Sequence, residues 1–313
     1  MRLLPLAILT WSALADQLAV IFFHVPKTGG ESVNLFAVGL GMTYIRCTTR
    51  NEYDNALRKL RDAKTWDSPD RGVLVEVHGI SDGPLSASPP AFVDAARGLA
   101  DLRSAVPVRL VVLTVLRQSP TNLLASAFEY FCVKRNCGAK DHSVSSLLNV
   151  SRPDPQCAYL SDGWGGFNRW KPNAPPRPSA NDCTLVAEAL LREADHVGET
   201  EHLGATLALL AALRVSSSTG SAATTPEAFR LARESGAASP ALQPTREVHV
   251  NHNTRATVIK RKRLSRLQEA IEMTALDSVL ISKTAGFTAL NLLGMAPPEL
   301  KPCQKPPCMP HKR

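Results

Sequence analysis

The 313-residue chain has no internal repeat, no uninterrupted apolar run of the roughly 20 residues that a bilayer-spanning helix needs, and no G-x-x-x-x-G-K-[ST] loop. The first absence excludes a solenoid, and the second leaves the apolar stretch Leu3 to Leu14 too short to cross a membrane. The third removes the loop by which nucleotide triphosphatases hold phosphate. Seven cysteines are too few for a disulfide scaffold, and the C-x4-C spacings at Cys132/Cys137 and Cys303/Cys308 lack the histidines of a zinc site. An acidic magnesium ligand at a strand end, which a kinase would need, is not evident either.

What is present suits an enzyme-sized core. At 44% hydrophobic residues the chain can fill one large α/β domain with loop insertions, and a formal net charge of +8 favours an anionic partner or simply a basic surface. Residues 1–15 read as a secretory signal peptide or a short anchor, with one arginine, an apolar run and the small-residue pattern Ala13-x-Ala15. An oxidising compartment would allow the pairs Cys132/Cys137, Cys157/Cys183 and Cys303/Cys308, leaving Cys47 free. Asn149-Val150-Ser151 is a glycosylation sequon.

Four apolar runs read as parallel strands: Leu18 to Phe23, Val73 to Val77, Arg109 to Leu116, and a short one at His196 to Val197. Spaced apolar positions predict helices over Ser32 to Gly39, Glu52 to Lys64, Pro90 to Ser104 and Pro120 to Phe131, and a long helix within 259–287. This alternation predicts a doubly wound parallel sheet flanked by helices, in which ligands gather at the carboxyl ends of the strands. The Pro/Gly/Trp-rich stretch 151–183 reads as a long irregular loop, a lid or a disordered insertion. Residues 216–243 read as a low-complexity insertion and 295–313 as an extended tail.

The chemistry concentrates after the strands. In "HVPKTGGESVN" a strand, a glycine turn and a helix follow one another, so the amides of Thr28, Gly29, Gly30 and Glu31 can face an anion at the helix start. Lys27 adds a full charge, Thr28 and Ser32 add hydroxyls, and the glycines let the backbone approach closely. In "VLRQSPTNLLASAFEYF", Arg117 ends a strand and Ser126 lies on the helix opened by Pro120, where both can face a phosphate across the sheet edge. Each feature taken alone is equally a tight turn, or an exposed arginine and an ordinary helix serine.

Together the two motifs resemble those of the PAPS-dependent Golgi carbohydrate sulfotransferases of the heparan sulfate 2-O- and galactose 3-O-types. There H-V-P-K-T-G-G-T-S holds the 5′-phosphosulfate and a later L-R-[DN]-P…S-x-F-x-Y-[FY] holds the 3′-phosphate. "DHVGETEHLGATLALLAAL", "VHVNHNTR" and "LDSVLISKTAGF" resemble later segments of the family, so the likeness runs from about residue 18 to 290 of a domain spanning 16–294. Glu31 departs from the family's threonine, and "RQSP" has one residue more than "RDP".

The resemblance implies a P-loop-like fold and sulfuryl transfer from PAPS to a glycan hydroxyl, with no metal and no nucleic acid. Lys27 would stabilise the departing nucleotide, while Arg117 and Ser126 would select the donor, with Arg255 a further nucleotide contact. His78, at the end of the third run, would be the base that accepts the acceptor's proton, with Glu76 the alternative; the family's second histidine is replaced by Ile80. It also implies a secretory-pathway location, Golgi or secreted, with membrane association through the N-terminus. Two other readings remain open: a degenerate PAP- or glycan-binding protein of the same fold, and a P-loop nucleotide kinase.

Overall fold

The computed structural model describes residues 17–62, 72–79, 88–106, 108–128, 153–163, 177–218 and 271–288. Five strands form one all-parallel sheet: β1 (Leu18–Phe23), β2 (Thr43–Cys47), β3 (Val73–Val77), β4 (Arg109–Leu116) and β5 (His196–Glu199), in the order β2-β3-β1-β4-β5. The helices are α1 (Gly30–Gly39), α2 (Arg50–Arg61), α3 (Phe92–Ala105), α4 (Pro120–Phe128), α5 (Pro155–Asp162), α6 (Ala180–Glu193), α7 (Leu203–Ser218) and α8 (Ala275–Thr284). A 3-10 turn at Thr200–His202 joins β5 to α7.

Strand alternation explains how the sheet is covered. Ala19, Ile21 and Phe23 of β1 face one layer, with α2, α3, α5, α6 and α8, while Leu18, Val20 and Phe22 face α1 and α7. Both faces are buried, which is why β1, β3 and β4 read as continuous apolar runs. β1 sits at the centre, and every one of its residues is at most 1% exposed. Because all strands run the same way, the carboxyl ends of β3, β1 and β4 lie side by side on one edge.

The sequence reading needs five corrections. β2 was not foreseen, because its residues Thr43, Tyr44 and Arg46 are exposed on an outer strand and give no apolar run. Within 151–183, the stretch read as irregular contains α5 and the start of α6, the latter opened by a reciprocal Ser179–Asp182 capping box. The long C-terminal helix is interrupted at Met273–Thr274, after which α8 begins again. The short strand at His196 continues through Glu199. α2 starts at Arg50 rather than Glu52, because Thr49 and Glu52 form a capping box.

Cys157 of α5 is bonded to Cys183 of α6, one of the pairs expected. Cys47 is free and buried; burial, then the charges of Glu52 and Glu76, push its thiol up to about 12, so it is inert. The other four cysteines, the N-terminal segment 1–15, the sequon, Arg255, most of the 216–243 insertion and the tail lie outside the described residues. Among the described residues no helix is long and apolar enough to cross a membrane.

Candidate functional site

The loop after β1 is built for close approach. Lys27 has φ 67 and Gly29 φ 94, so the chain turns through left-handed conformations on either side of Thr28 before α1 begins. A lysine held in that region costs energy, and such strain gathers where a backbone grips a ligand. Gly30 is demanded by space: a Cβ there would lie 2.1 Å from the Cδ2 and Nε2 atoms of His24. Ser32 is buried, and Glu31 is exposed in the first turn of α1.

Thr28 differs from the expectation. It is fully buried and its hydroxyl donates to Val25 O at 2.7 Å, so that proton is committed to the loop itself. Its carbonyl accepts from Thr200 Oγ1 at 2.7 Å, and the same hydroxyl lies 3.2 Å from Leu116 O. Thr200, just past β5, therefore ties the glycine loop to the end of β4, a role that the sequence reading did not assign.

At that end of β4, Arg117 and Ser126 meet. The guanidinium Nη1 donates to Ser126 Oγ at 2.6 Å, with Asn122 O at 3.4 Å. The extra residue in "RQSP" thus does not break the pairing, because Pro120 opens α4 in the register that brings Ser126 back towards the strand end. Gln156 of α5 holds the arginine's backbone: Arg117 N donates to Gln156 Oε1 at 2.8 Å and Gln156 Nε2 donates to Arg117 O at 3.2 Å.

Beside β1, the end of β3 carries Glu76 and His78, two residues apart on the α1 side of the sheet. Glu76 is 1% exposed and accepts from Asn34 Nδ2 at 2.9 Å, from His24 Nδ1 and from the Tyr44 hydroxyl, with Arg46 Nε at 3.5 Å. Burial pushes this carboxyl up, but the hydrogen bond and charge of His24, then the hydrogen bonds of Tyr44 and Asn34, outweigh it and hold the group below the usual carboxylate range. His78 is half-buried and its Nδ1 has no hydrogen-bond partner among the described residues. Burial, then the electrostatic influence of His24, push His78 well below the usual histidine range, against the pull of Glu76.

His24 belongs to this site, although the sequence reading assigned it no role. Its ring stacks on Phe22 with centroids 5.3 Å apart and tilts over His78 at 4.5 Å. One ligand atom from each of His24, Glu76 and His78 lies within 4.8 Å of the others, so the trio has the outline of a metal site. The Glu76 oxygens, however, are already engaged by Asn34, Tyr44 and His24 and lie beside the Arg46 cation, which opposes a further positive charge. The signal for Asn34, Tyr44 and Arg46 in the sequence is slight, since each comes from a different element and only the sheet order brings them to Glu76.

The fold and site define an α/β chain with a strained glycine loop, an arginine–serine pair and a carboxylate–histidine cluster along one sheet edge. No protein-family model matches the chain, and no curated protein matches it.

Proposed function

We propose that this protein is a PAPS-dependent sulfotransferase that moves a sulfuryl group to a hydroxyl of a glycan or glycoconjugate and releases PAP. The observation that carries the proposal is the meeting of Arg117 with Ser126 on the same sheet edge as the strained Lys27–Gly30 loop, which offers one anion-binding feature for each end of a nucleotide with 5′ and 3′ phosphates. The fold then serves as a P-loop-like cradle. The loop amides and Lys27 take the 5′-phosphosulfate, and Arg117 with Ser126 takes the 3′-phosphate.

In the transfer, the acceptor oxygen attacks sulfur and the bond from sulfur to the bridging phosphate oxygen breaks. Charge grows on the departing phosphate, where Lys27 and the helix start of α1 stabilise it without reorganising. The acceptor proton goes to His78, the base, which is neutral at physiological pH and whose Nδ1 has no hydrogen-bond partner among the described residues. A low pKa limits its basicity, and an incoming anion raises it towards the working range. Glu76 is the weaker base because it is stabilised as a carboxylate by His24, Tyr44 and Asn34; its role is to hold His24 against Gly30 and to balance the charge of the cluster.

The test is thermal stabilisation of the purified protein by adenosine 3′,5′-bisphosphate, beside ADP and ATP with magnesium. Stabilisation by the bisphosphate alone, lost in Arg117→Ala, is the expected result. Stabilisation by ATP with magnesium instead, or by none of the three, refutes the donor assignment.

A further inference from the structure

We infer that α5 is a positioning helix that holds both working strand ends through their backbones, with Gln156 setting Arg117 and Tyr159 setting His78. The two side chains lie three residues apart and so project from one face of the helix. Gln156 pairs with the amide and the carbonyl of Arg117, at 2.8 and 3.2 Å. The Tyr159 hydroxyl donates to Val77 O at 3.1 Å and accepts from Gly79 N at 2.9 Å, so it clasps the backbone on both sides of His78. Neither residue touches the side chain that it positions through these bonds. Each is buried and spends its polar group on main chain at the sheet edge, Tyr159 sharing Val77 O with the amide of His24.

The helix is itself anchored firmly for eight residues. Asp277 of α8 accepts from the amides of Gln156 and Cys157, at 3.1 and 2.7 Å, and Asp154 accepts from the amides of Leu276 and Asp277, at 2.8 and 3.2 Å. Each helix start therefore caps the other. Cys157 is also bonded to Cys183, with Cα atoms 5.4 Å apart, which ties α5 to α6. Gln156, which grips Arg117, has its own amide held by Asp277 and directly precedes the disulfide-bonded Cys157. A short helix carrying two such clasps can set the distance between donor and base only if it cannot slide, and the disulfide with the reciprocal caps supplies that restraint.

The functional half of this inference rests on the donor and base assignments proposed above; the positional half does not. The experiment is amide hydrogen exchange at Arg117 and Gly79, together with calorimetric affinity for adenosine 3′,5′-bisphosphate, in wild type and variants. Gln156→Ala is expected to speed exchange at Arg117 alone and to weaken the bisphosphate about fivefold to tenfold, the loss of one or two neutral hydrogen bonds' worth of order. Gln156→Glu keeps an acceptor for Arg117 N and should recover most of that protection. Tyr159→Phe is expected to speed exchange at Gly79 alone, with bisphosphate affinity within about twofold of wild type. The double variant Cys157→Ser/Cys183→Ser should loosen both amides. If every variant instead speeds both amides in proportion to its lost melting temperature, or if neither amide responds, α5 is packing only and the inference falls. If the wild type does not bind the bisphosphate, the donor assignment and the functional half fall, while the exchange pattern still decides the positional half.

Discussion

Gly30→Ala tests whether the His24–Glu76 contact organises the site. The new methyl carbon would sit 2.1 Å from two atoms of the His24 ring, far inside van der Waals contact, and the ring is packed beside both Phe22 and His78. His24 must therefore leave Glu76. Overpacking of this kind costs about 1–3 kcal/mol, and removing a hydrogen bond to a buried charged group costs about 1.5–3 kcal/mol. The sum, roughly 3–6 kcal/mol, is a large part of the ~5–15 kcal/mol by which domains are stable, and lowers the melting temperature by about 6–15 °C in a chain of this size. The assay is thermal unfolding of four proteins: wild type, Gly30→Ala, His24→Ala and the double variant. With the ring gone, the methyl group has room, and alanine in the first turn of α1 should be neutral or mildly stabilising. A Gly30→Ala melting temperature within about 2 °C of wild type, or an equal loss in the His24→Ala background, would refute the reasoning. Gly29→Ala is the control: its φ of 94 makes it costly whatever His24 does.

Three further outcomes follow from the same geometry. His78→Ala should lower sulfuryl transfer by about 10²–10⁴-fold while leaving bisphosphate affinity within about twofold, measured by turnover beside calorimetry. Glu76→Gln should cost about 1.5–3 kcal/mol at neutral pH in a denaturant titration. Because the native carboxyl is held below its ordinary range, that stabilisation is present above the unfolded carboxylate pKa and is lost as pH falls through the native one, so the gap between variant and wild type should close in acid. His196, pushed by burial down to about 4, stays neutral in the fold while the unfolded chain takes up a proton below about 6.5. Stability should therefore fall on acidification from pH 6.5 to 5 by on the order of 2 kcal/mol from this group, and His196→Gln should flatten that slope in melting temperature against pH.

How much of this was legible in the sequence depended on where each signal is stored. β1, β3 and β4 are buried on both faces, so their composition announces them, and the residues just beyond them, Lys27, His78 and Arg117, could be named from position alone. The sequence placed Arg117 at a strand end and Ser126 on the following helix where both can face one anion, and the structure brings the two side chains together at 2.6 Å. β2 was missed because an outer strand with one buried residue has no periodicity to read. α5 was missed because a helix of eight residues flanked by proline and glycine resembles a loop in composition, and its stability comes from Asp277 and Cys183, which are distant in the chain.

His24 shows why site chemistry is harder to read than site position. Its neighbours in sequence say only that it follows a strand, and a histidine there is ordinarily structural. What gives it a role is the order β2-β3-β1, which sets β3 next to β1 and brings Glu76 into register with Phe22, two residues before His24. From that register His24 reaches Glu76 across the sheet edge, Tyr44 and Arg46 reach it from β2, and Asn34 reaches it from α1. A carboxylate so surrounded is held ionised, and the histidine beside it, buried and crowded by a second imidazole, is held neutral. The pair of protonation states that a base needs is thus a property of strand order and not of any motif. The sequence could mark His78 and Glu76 as candidates for the proposed base, but it could not say which of them is free to accept a proton.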